Sequence, residues 1–358
     1  MTVNIAILGA GSVGAKHAAA VRAANANISC IIDVDPVRGR ALAKESDAPY
    51  SDDVRSALGD ATLDGVVICV PNCYHKELAI EALRAGKDVL LEKPMALNEA
   101  ECKAINDVAR KASRLLQLGF VHRYTAVCQL AKKIALAGTL GDIYHAKAHL
   151  YLRRGIPGLG KWFTTKRLSG GGALIDVGVH LLDLALFVLD FPAVESVLGQ
   201  VYANFGSRLD GYVYESMWAG PPDLEGVFDV EDSAHAMIRF ASGTTLDLQV
   251  AWAGNFPEIG LPTSMMGFFG ERGGITFELF GGHINHSHEK DGAIVDNRIS
   301  APETDFYRDQ LADFVEGIQT RRILGPTGEQ GQIVQSIVDQ IYRSSRPLGA
   351  VDPVPALH

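Results

Sequence analysis

The chain has 358 residues, with 33 Lys plus Arg against 42 Asp plus Glu and a net charge of −9. That length exceeds one ordinary core and favours two domains, while the acidic balance without a basic block argues against nucleic acid and anionic membranes as partners. No apolar run approaches the ~18 residues that a bilayer-spanning helix needs, so no membrane segment is expected.

The cysteines predict a reducing compartment. They are odd in number and form no C-x-x-C pair, which is typical of free thiols in a cytoplasmic protein. Two of them flank the end of a predicted strand, but no second ligand pair accompanies them, so no zinc site is predicted. The five are Cys30, Cys69, Cys73, Cys102 and Cys128.

The first 24 residues predict a strand, a glycine turn and a helix. Residues 3–8 form an apolar run that ends at a glycine, and residues 15–24 are Ala-rich with high helix propensity. The glycines between them have G-x-G-x-x-G spacing, which suits a tight turn, close approach of a pyrophosphate and close helix packing. The free N–H groups of the helix start would hold that anion. The turn consists of Gly9, Gly11, Ser12, Val13 and Gly14.

An acid follows the second predicted strand, residues 28–32. Asp33 lies about 20 residues beyond the last glycine, where a dinucleotide fingerprint places the group that binds the adenosine ribose. Its carboxylate would repel a 2′-phosphate, which favours NAD over NADP. Arg38 could reach a 2′-phosphate, or it could be an ordinary surface arginine. A glycine turn without any ligand is the alternative to the whole motif.

The following elements predict a doubly wound parallel sheet, because short strands and helices alternate. The predicted strands are residues 65–70, 88–91 and 115–120. The predicted helices are residues 36–46, 52–58 with Ser51 as cap, 74–85, and the stretch from the Asn98 cap to residue 112. Ligands bind beyond the carboxyl ends of such strands, where Gly9, Asp33, Pro71 and Glu92 all fall.

Lys93 follows a strand at this same edge and precedes Pro94. Burial and nearby dipoles could lower the pKa of its ammonium into a range useful for proton transfer. An ordinary lysine paired with Glu92 is the equal alternative.

After residue 121 the pattern changes, which predicts a nucleotide-binding domain at 1–121 and a second, α+β domain at 122–358. The second domain should hold a mostly antiparallel sheet with a hairpin at Ser242-Gly243. Its predicted helices are residues 125–136, 306–320 and 328–344, and its predicted strands are residues 142–152, 194–204, 233–240, 244–252 and 274–280.

Asp176 and His180 are four residues apart after three glycines, so on a helix they share one face. A histidine oriented by a carboxylate is a simple general base, although a surface ion pair would have the same spacing. His283, His286 and His288 could suggest a metal, but only the last two share a face of a strand, and no metal site is predicted.

Four ordered motifs resemble the glucose–fructose oxidoreductase / inositol dehydrogenase / MocA family. They are G-A-G-S-V-G at 9–14, V-P-N-x-x-H at 70–75, E-K-P-M-A at 92–96 and G-G-G-A-L-I-D-V-G-V-H at 170–180. The resemblance covers essentially the whole chain. It implies an N-terminal Rossmann domain, a C-terminal domain whose large open sheet forms a homodimer or homotetramer, and NAD(P)-dependent oxidation of a sugar, glycoside or cyclitol hydroxyl.

The resemblance also implies a set of site residues. Lys93, Asp176 and His180 match the catalytic trio, in which His180 takes the proton of the substrate hydroxyl, Lys93 binds that oxygen and Asp176 holds His180. Glu92 would lie near the nicotinamide. Val70, Pro71, Asn72, His75 and Arg123 would complete the cofactor cleft, with Arg123 also at the substrate.

Two loops leave the substrate open. Residues 153–162 are Gly/Pro-rich, and residues 205–229 form a long irregular segment that contains Tyr212, Tyr214 and Trp218. Trp162 could stack on a sugar face or pack into the core. The alternatives to a NAD-dependent dehydrogenase are an NADP-dependent keto-sugar reductase and a non-catalytic dinucleotide-binding regulator.

Overall fold

The computed structural model describes residues 2–207, 211–214, 219–257 and 263–345. Its first half holds a six-stranded parallel sheet, which we call sheet A, in the order β3-β2-β1-β4-β5-β6. This is the predicted doubly wound sheet. Its strands are β1 (Asn4–Leu8), β2 (Asn27–Ile32), β3 (Tyr50–Ser51), β4 (Gly65–Ile68), β5 (Asp88–Leu91) and β6 (Leu116–Leu118).

Helices cover both faces of sheet A, which explains why every residue of β4 and β5 is buried. The predicted bounds are confirmed to within a few residues, and the Asn98 cap accepts the N–H of Glu101 at 3.0 Å. The predicted Ser51 cap is wrong, because the side chain of Asp53 caps that helix instead. The helices are α1 (Ser12–Ala23), α2 (Pro36–Ser46), α3 (Val54–Leu58), α4 (His75–Arg84) and α5 (Glu99–Ala112).

The second half holds an eight-stranded sheet, sheet B, in the order β14-β13-β12-β11-β7-β10-β9-β8. All its neighbours are antiparallel except β7 and β10, which confirms a mostly antiparallel sheet, and the β9–β10 hairpin is confirmed. The strands are β7 (Ile143–Tyr151), β8 (Val194–Tyr202), β9 (Ser233–Phe240), β10 (Thr245–Ala251), β11 (Ser264–Gly270), β12 (Gly273–Phe277), β13 (His283–Lys290) and β14 (Ala293–Ser300).

Three of these strands, β11, β13 and β14, were not predicted. β13 and β14 lie at the edge of sheet B and are mostly polar, with few buried residues, so they lack the apolar alternation that marks a strand. Trp218 of the irregular segment lies outside the described residues. Tyr212 and Tyr214 pack edge to face, with ring centroids 4.8 Å apart.

Helices of the second half connect the two sheets. Helix α9 (Phe306–Thr320) packs on α1, and its Leu311 and Phe314 belong to the core beneath sheet A. Helix α10 (Gly328–Ser344) packs on both α5 and β8. Helices from beyond residue 121 therefore pack against the first half of the chain, and the domain boundary at residue 121 stays a prediction. The other helices are α6 (Ala126–Leu136), α7 (Lys166–Ser169) and α8 (Val179–Val188).

The stretch Lys166–Val188 is long and apolar enough to cross a membrane by length and composition, which the sequence expectation overlooked. In the fold, 78% of its most apolar window is buried inside the protein. It comprises α7, a π-helical turn (Leu174–Gly178) and α8, and it serves as a core segment beside sheet B. The π turn brings Asp176 to the junction of the two halves.

Candidate active site

The glycine turn connects β1 to α1 and leaves one open position. A Cβ at Gly9, whose φ is +102°, would lie 2.3 Å from the carbonyl oxygen of Cys69, and a Cβ at Gly14 would lie 1.9 Å from that of Gly9. At Gly11 a Cβ would meet nothing within 4 Å. Two glycines are thus required by packing, while the space over Gly11 suits a diphosphate that approaches the backbone.

Helix α1 begins at this turn without a capping side chain. Helices α2, α3 and α5 each begin with a carboxylate or amide cap. The first N–H groups of α1, including those of Ser12, Val13 and Gly14, have no partner within the helix and carry its positive dipole end. An anion such as the pyrophosphate of a dinucleotide fits this start.

Asp33 lies beside the turn. Its Oδ2 accepts the N–H of Ala10 at 2.6 Å, and its Oδ1 accepts the N–H of Asp35 at 2.8 Å. The carboxylate is therefore fixed at the end of β2, where a ribose would meet it. Arg38 is exposed and pairs with Asp35, with 2.8 Å between Nε and Oδ2, as an ordinary surface arginine does.

The loop after β4 forms the opposite wall, but two of its residues differ from expectation. The Asn72 amide donates to the carbonyl of Ser169 at 2.7 Å and so connects the halves. His75 is fully buried, with its ring nitrogens 2.8 Å and 2.9 Å from the carbonyls of Pro94 and Val70. Burial lowers the pKa of His75. As a correction, both residues hold the walls of the cleft together rather than line it.

Glu92 connects helix α1 to Lys93. The Nε2–H of His17 on α1 donates to Glu92 Oε1 at 2.7 Å, and the N–H of Lys93 donates to Oε2 at 3.1 Å. Burial acts to raise the pKa of Glu92, but His17 and Lys93 outweigh it and the pKa is lowered. His17 is fully buried and was missed by the sequence analysis.

Lys93 meets the second half at Asp176. Its Nζ lies 2.8 Å from both Oδ1 and the backbone oxygen of Asp176, and the side chains are 18% and 12% exposed. The indole N–H of the buried Trp252 donates to Oδ2 at 3.0 Å. As a correction, Asp176 orients Lys93 rather than His180, because the π turn breaks the i, i+4 register on which their pairing depended.

His180 instead lies against a second imidazole, that of His122. The ring centroids are 4.4 Å apart with the planes tilted by 56°, and Nδ1 of each ring is buried without a partner. Burial, His122 and Lys93 hold the pKa of His180 well below its usual value. Burial and Lys93 lower the pKa of His122 to about 4. Both rings are therefore neutral near pH 7, as a proton acceptor requires.

Arg123 lies inside the protein and not at the cleft. Its guanidinium is 5% exposed; Nε donates to Asp183 Oδ2 at 2.8 Å and Nη1 donates to Gln330 Oε1 at 2.7 Å. Its charge also lies 5.1 Å from the ring centroids of Phe187 and Phe191. As a correction, Arg123 is committed to a buried ion pair that ties the start of the second half to α8.

The remaining candidates do not extend the site. Trp162 stacks on Phe163, with centroids 3.8 Å apart, and its contact with substrate stays a prediction. His286 and His288 stack side by side on β13, 4.7 Å apart, as neighbours on one strand face do. Within the described residues, no group of three His, Cys, Asp or Glu could hold a metal ion.

Two family models match parts of the chain. Residues 3–120 match the oxidoreductase family with NAD-binding Rossmann fold, and residues 128–276 match the GFO/IDH/MocA C-terminal domain. D-glucoside 3-dehydrogenase of Escherichia coli is 33% identical over 96% of this chain and 95% of its own. Levoglucosan dehydrogenase of Pseudarthrobacter phenanthrenivorans is 28% identical over 80% of this chain and 74% of its own.

A levoglucosan dehydrogenase also has a similar fold. A solved structure of levoglucosan dehydrogenase in complex with NADH superposes with a TM-score of 0.84 at 22% identity and covers 96% of this chain and 97% of that one. The chain therefore belongs to the GFO/IDH/MocA family of oxidoreductases, with an NAD-binding Rossmann domain and relatives that are sugar and cyclitol dehydrogenases.

Proposed function

We propose that this enzyme oxidises a secondary ring hydroxyl of a D-glucoside, at carbon 3, with NAD as the hydride acceptor. The observation that carries the proposal is the contact between halves: the Lys93 ammonium is 2.8 Å from Asp176 and neighbours the neutral His180. The position on the sugar is taken from D-glucoside 3-dehydrogenase, the 33% identical relative.

NAD would be held by the open glycine turn, by the start of α1 and by the fixed carboxylate of Asp33. When bound, it supplies a hydride acceptor at nicotinamide C4. Glu92 and its partner His17 keep Lys93 at the edge of this cleft through the backbone N–H of the lysine. The chain thus fixes the reacting groups before substrate arrives.

The proton is handled by the groups from the second half. His180 is neutral near pH 7, so its free ring nitrogen can take the proton of the hydroxyl as the hydride leaves the same carbon. The Lys93 ammonium donates a hydrogen bond to that oxygen and stabilises the negative charge that develops there. Asp176, which also accepts from the Trp252 indole, holds the lysine in position.

The test is an assay of purified protein with NAD and a panel of methyl glucosides, free sugars and inositols. We expect reduced-nicotinamide absorbance with glucosides. Trapping the product with borodeuteride should put deuterium at carbon 3. A His180→Ala variant that kept full activity would contradict the proton transfer, and oxidation of inositols alone would contradict the glucoside.

Two alternatives have distinct signatures in the same assay. Tighter binding of NADP than NAD, abolished by Arg38→Ala, would favour a keto-sugar reductase. Tight NAD binding without oxidation of any substrate would favour a non-catalytic regulator. The fixed carboxylate of Asp33 supports NAD over NADP. The contact of Lys93 with Asp176, next to His180, supports an enzyme over a non-catalytic regulator.

The outer face of sheet B is the proposed surface for a homodimer or homotetramer, in a cytoplasmic enzyme. Leu198 on β8 and Met237 on β9 are register partners and are 70% and 57% exposed, and Tyr202 lies further along β8. Sedimentation of a Leu198→Glu/Met237→Glu variant should give a smaller species than the wild type. An unchanged oligomer would exclude this face.

A further inference from the structure

We propose that His122 is a specificity-determining residue that binds the hydroxyl adjacent to the one oxidised, so that the enzyme selects vicinal diols. This inference rests on the proposed function and deepens it. His122 belongs to the helical turn Val121–Tyr124, just after β6 at the carboxyl edge of sheet A. His180 comes from the other half, and the two rings are 4.4 Å apart by centroid.

The ring nitrogens of this pair are arranged alike. Nδ1 of His122 and Nδ1 of His180 are both buried and without a partner. Both side chains are partly exposed, so we assign Nε2 of each as the nitrogen that meets a substrate. A neutral imidazole can either donate or accept at that atom, according to its tautomer. Two such nitrogens on touching rings therefore offer two adjacent hydrogen-bonding positions.

Adjacent hydroxyls of a pyranose ring match this arrangement. They are attached to carbons that share one bond, so two imidazoles in contact with each other can each bind one of them. If His180 takes the proton of the reacting hydroxyl, the neighbouring hydroxyl comes within reach of His122. Lys93 also faces His122 and disfavours a positive charge on it, so the ring meets the sugar in its neutral form.

Two phenylalanine rings form part of the wall around His122. Its ring lies 5.2 Å from that of Phe280 and 6.1 Å from that of Phe306, by centroids. Phe280 is 67% exposed, so an aromatic face is open beside the imidazole. Sites that combine such apolar walls with a few polar groups fix the orientation of a ligand through those groups. A substrate that lacks the matching hydroxyl would leave the imidazole nitrogen unpaired, which is penalised strongly.

The experiment compares kcat/KM for methyl β-D-glucopyranoside and its 2-deoxy, 4-deoxy and 6-deoxy analogues. The enzymes are the wild type, His122→Leu and His122→Gln, whose amide nitrogen can replace Nε2. Because Nδ1 of His122 makes no bond, the leucine variant should fold normally, and the affinity for NAD is measured in each case. His286→Leu is the matched control, since His286 also has a buried unpartnered nitrogen but stacks on His288.

For the wild type, we expect kcat/KM to be at least about tenfold lower with either the 2-deoxy or the 4-deoxy analogue than with the parent glucoside. His122→Leu should lower kcat/KM for the parent glucoside by a similar factor and should not lower it further for that analogue. His122→Gln should retain part of the wild-type preference for the parent glucoside. The 6-deoxy ratio and the NAD affinity should be the same in all variants.

The inference would be overturned if His122→Leu still showed the full wild-type decrease in kcat/KM with the deoxy analogue. It would also be overturned if kcat/KM for the parent glucoside were unchanged in this variant. An equal loss on all four glucosides, or weaker NAD binding, would indicate a merely structural role and would also overturn it. If the wild type oxidises no glucoside, the proposed function fails, and the role of His122 fails with it.

Discussion

At the scale of single residues, the position of the Lys93 ammonium depends on a carboxylate from the other half of the chain. Asp176 accepts from Lys93 through Oδ1 and from the Trp252 indole through Oδ2. An Asp176→Asn variant keeps one oxygen and the shape of the side chain but removes the charge that holds the ammonium. Its kcat should fall by about 10²- to 10⁴-fold, because the lysine no longer stabilises charge on the substrate oxygen.

The measurement is kcat at saturating substrate, together with the NAD dissociation constant from protein fluorescence. NAD binding should stay within about twofold of the wild type, since Asp176 makes no part of the glycine turn. A kcat within twofold of the wild type would show that the lysine needs no carboxylate partner.

His122 makes stability depend on pH. Burial and then Lys93 and Lys16 lower its pKa from 6.5 to about 4, against an opposing effect of Glu92. Between pH 6.5 and pH 4, His122 is protonated in the unfolded chain but neutral in the native protein. The free energy of unfolding therefore falls as the pH drops from 6.5 towards 4, and at pH 5 the loss that this group causes is about 2 kcal/mol.

The check is urea unfolding of the wild type and His122→Leu at pH 7 and pH 5. The wild type should lose about 2 kcal/mol more than the variant between these two values. Equal losses would mean that His122 is protonated in the native state at pH 5.

At the scale of elements, the glycine turn separates folding from cofactor binding. Gly11 has an ordinary φ of −77° and open space at its Cβ position, so Gly11→Ala should change the free energy of unfolding by less than about 1 kcal/mol. The same methyl group would occupy the path of the pyrophosphate and weaken NAD binding by at least about tenfold. At Gly14 the methyl would collide with Gly9, so Gly14→Ala should destabilise the fold itself.

Melting temperatures without cofactor and titration calorimetry with NAD distinguish the two variants. Gly14→Ala should melt well below the wild type, whereas Gly11→Ala should melt near it. Unchanged NAD affinity in Gly11→Ala would place the pyrophosphate elsewhere.

The ion pair between Arg123 and Asp183 joins two further elements, the turn Val121–Tyr124 and helix α8. Burial raises the pKa of Asp183 against the effect of Arg123. Arg123→Met would leave that carboxylate unpaired in the interior, which should lower the free energy of unfolding by about 3–5 kcal/mol. Arg123→Met/Asp183→Leu should recover most of the loss.

Denaturant unfolding measures these free energies of unfolding. The value of kcat/KM per folded molecule shows whether Arg123 also acts in catalysis. If the pair is structural, the double variant should keep kcat/KM near the wild-type value. A double variant that is stable but inactive would restore Arg123 to the active site.

At the scale of the whole molecule, the sequence was most informative where a single segment determines the structure. The apolar runs of sheet A, the Asn98 cap and the open position at Gly11 all follow from local pattern, and the structure agrees. The contacts across the two halves do not follow in this way. Asp176 was expected to hold His180, but a π turn directs it to Lys93, and no local spacing reveals such a turn.

The same reason explains what was overlooked. His122 and His17 are isolated histidines in sequence, and only the fold brings them beside His180 and Glu92. Arg123 was read as a site residue from its motif, yet its charge is neutralised by a carboxylate 60 positions away. The polar edge strands β13 and β14 were missed because they bury little.

Helix α9 lies in the chain after both sheets, yet it packs against α1 and completes the core beneath sheet A. A nucleotide-binding half transplanted from this protein into a chimaera would consequently have to carry residues 306–320 with it. Recombination at the single junction near residue 121, whether in evolution or in the laboratory, would expose the apolar surface of the donor fragment that this helix covers.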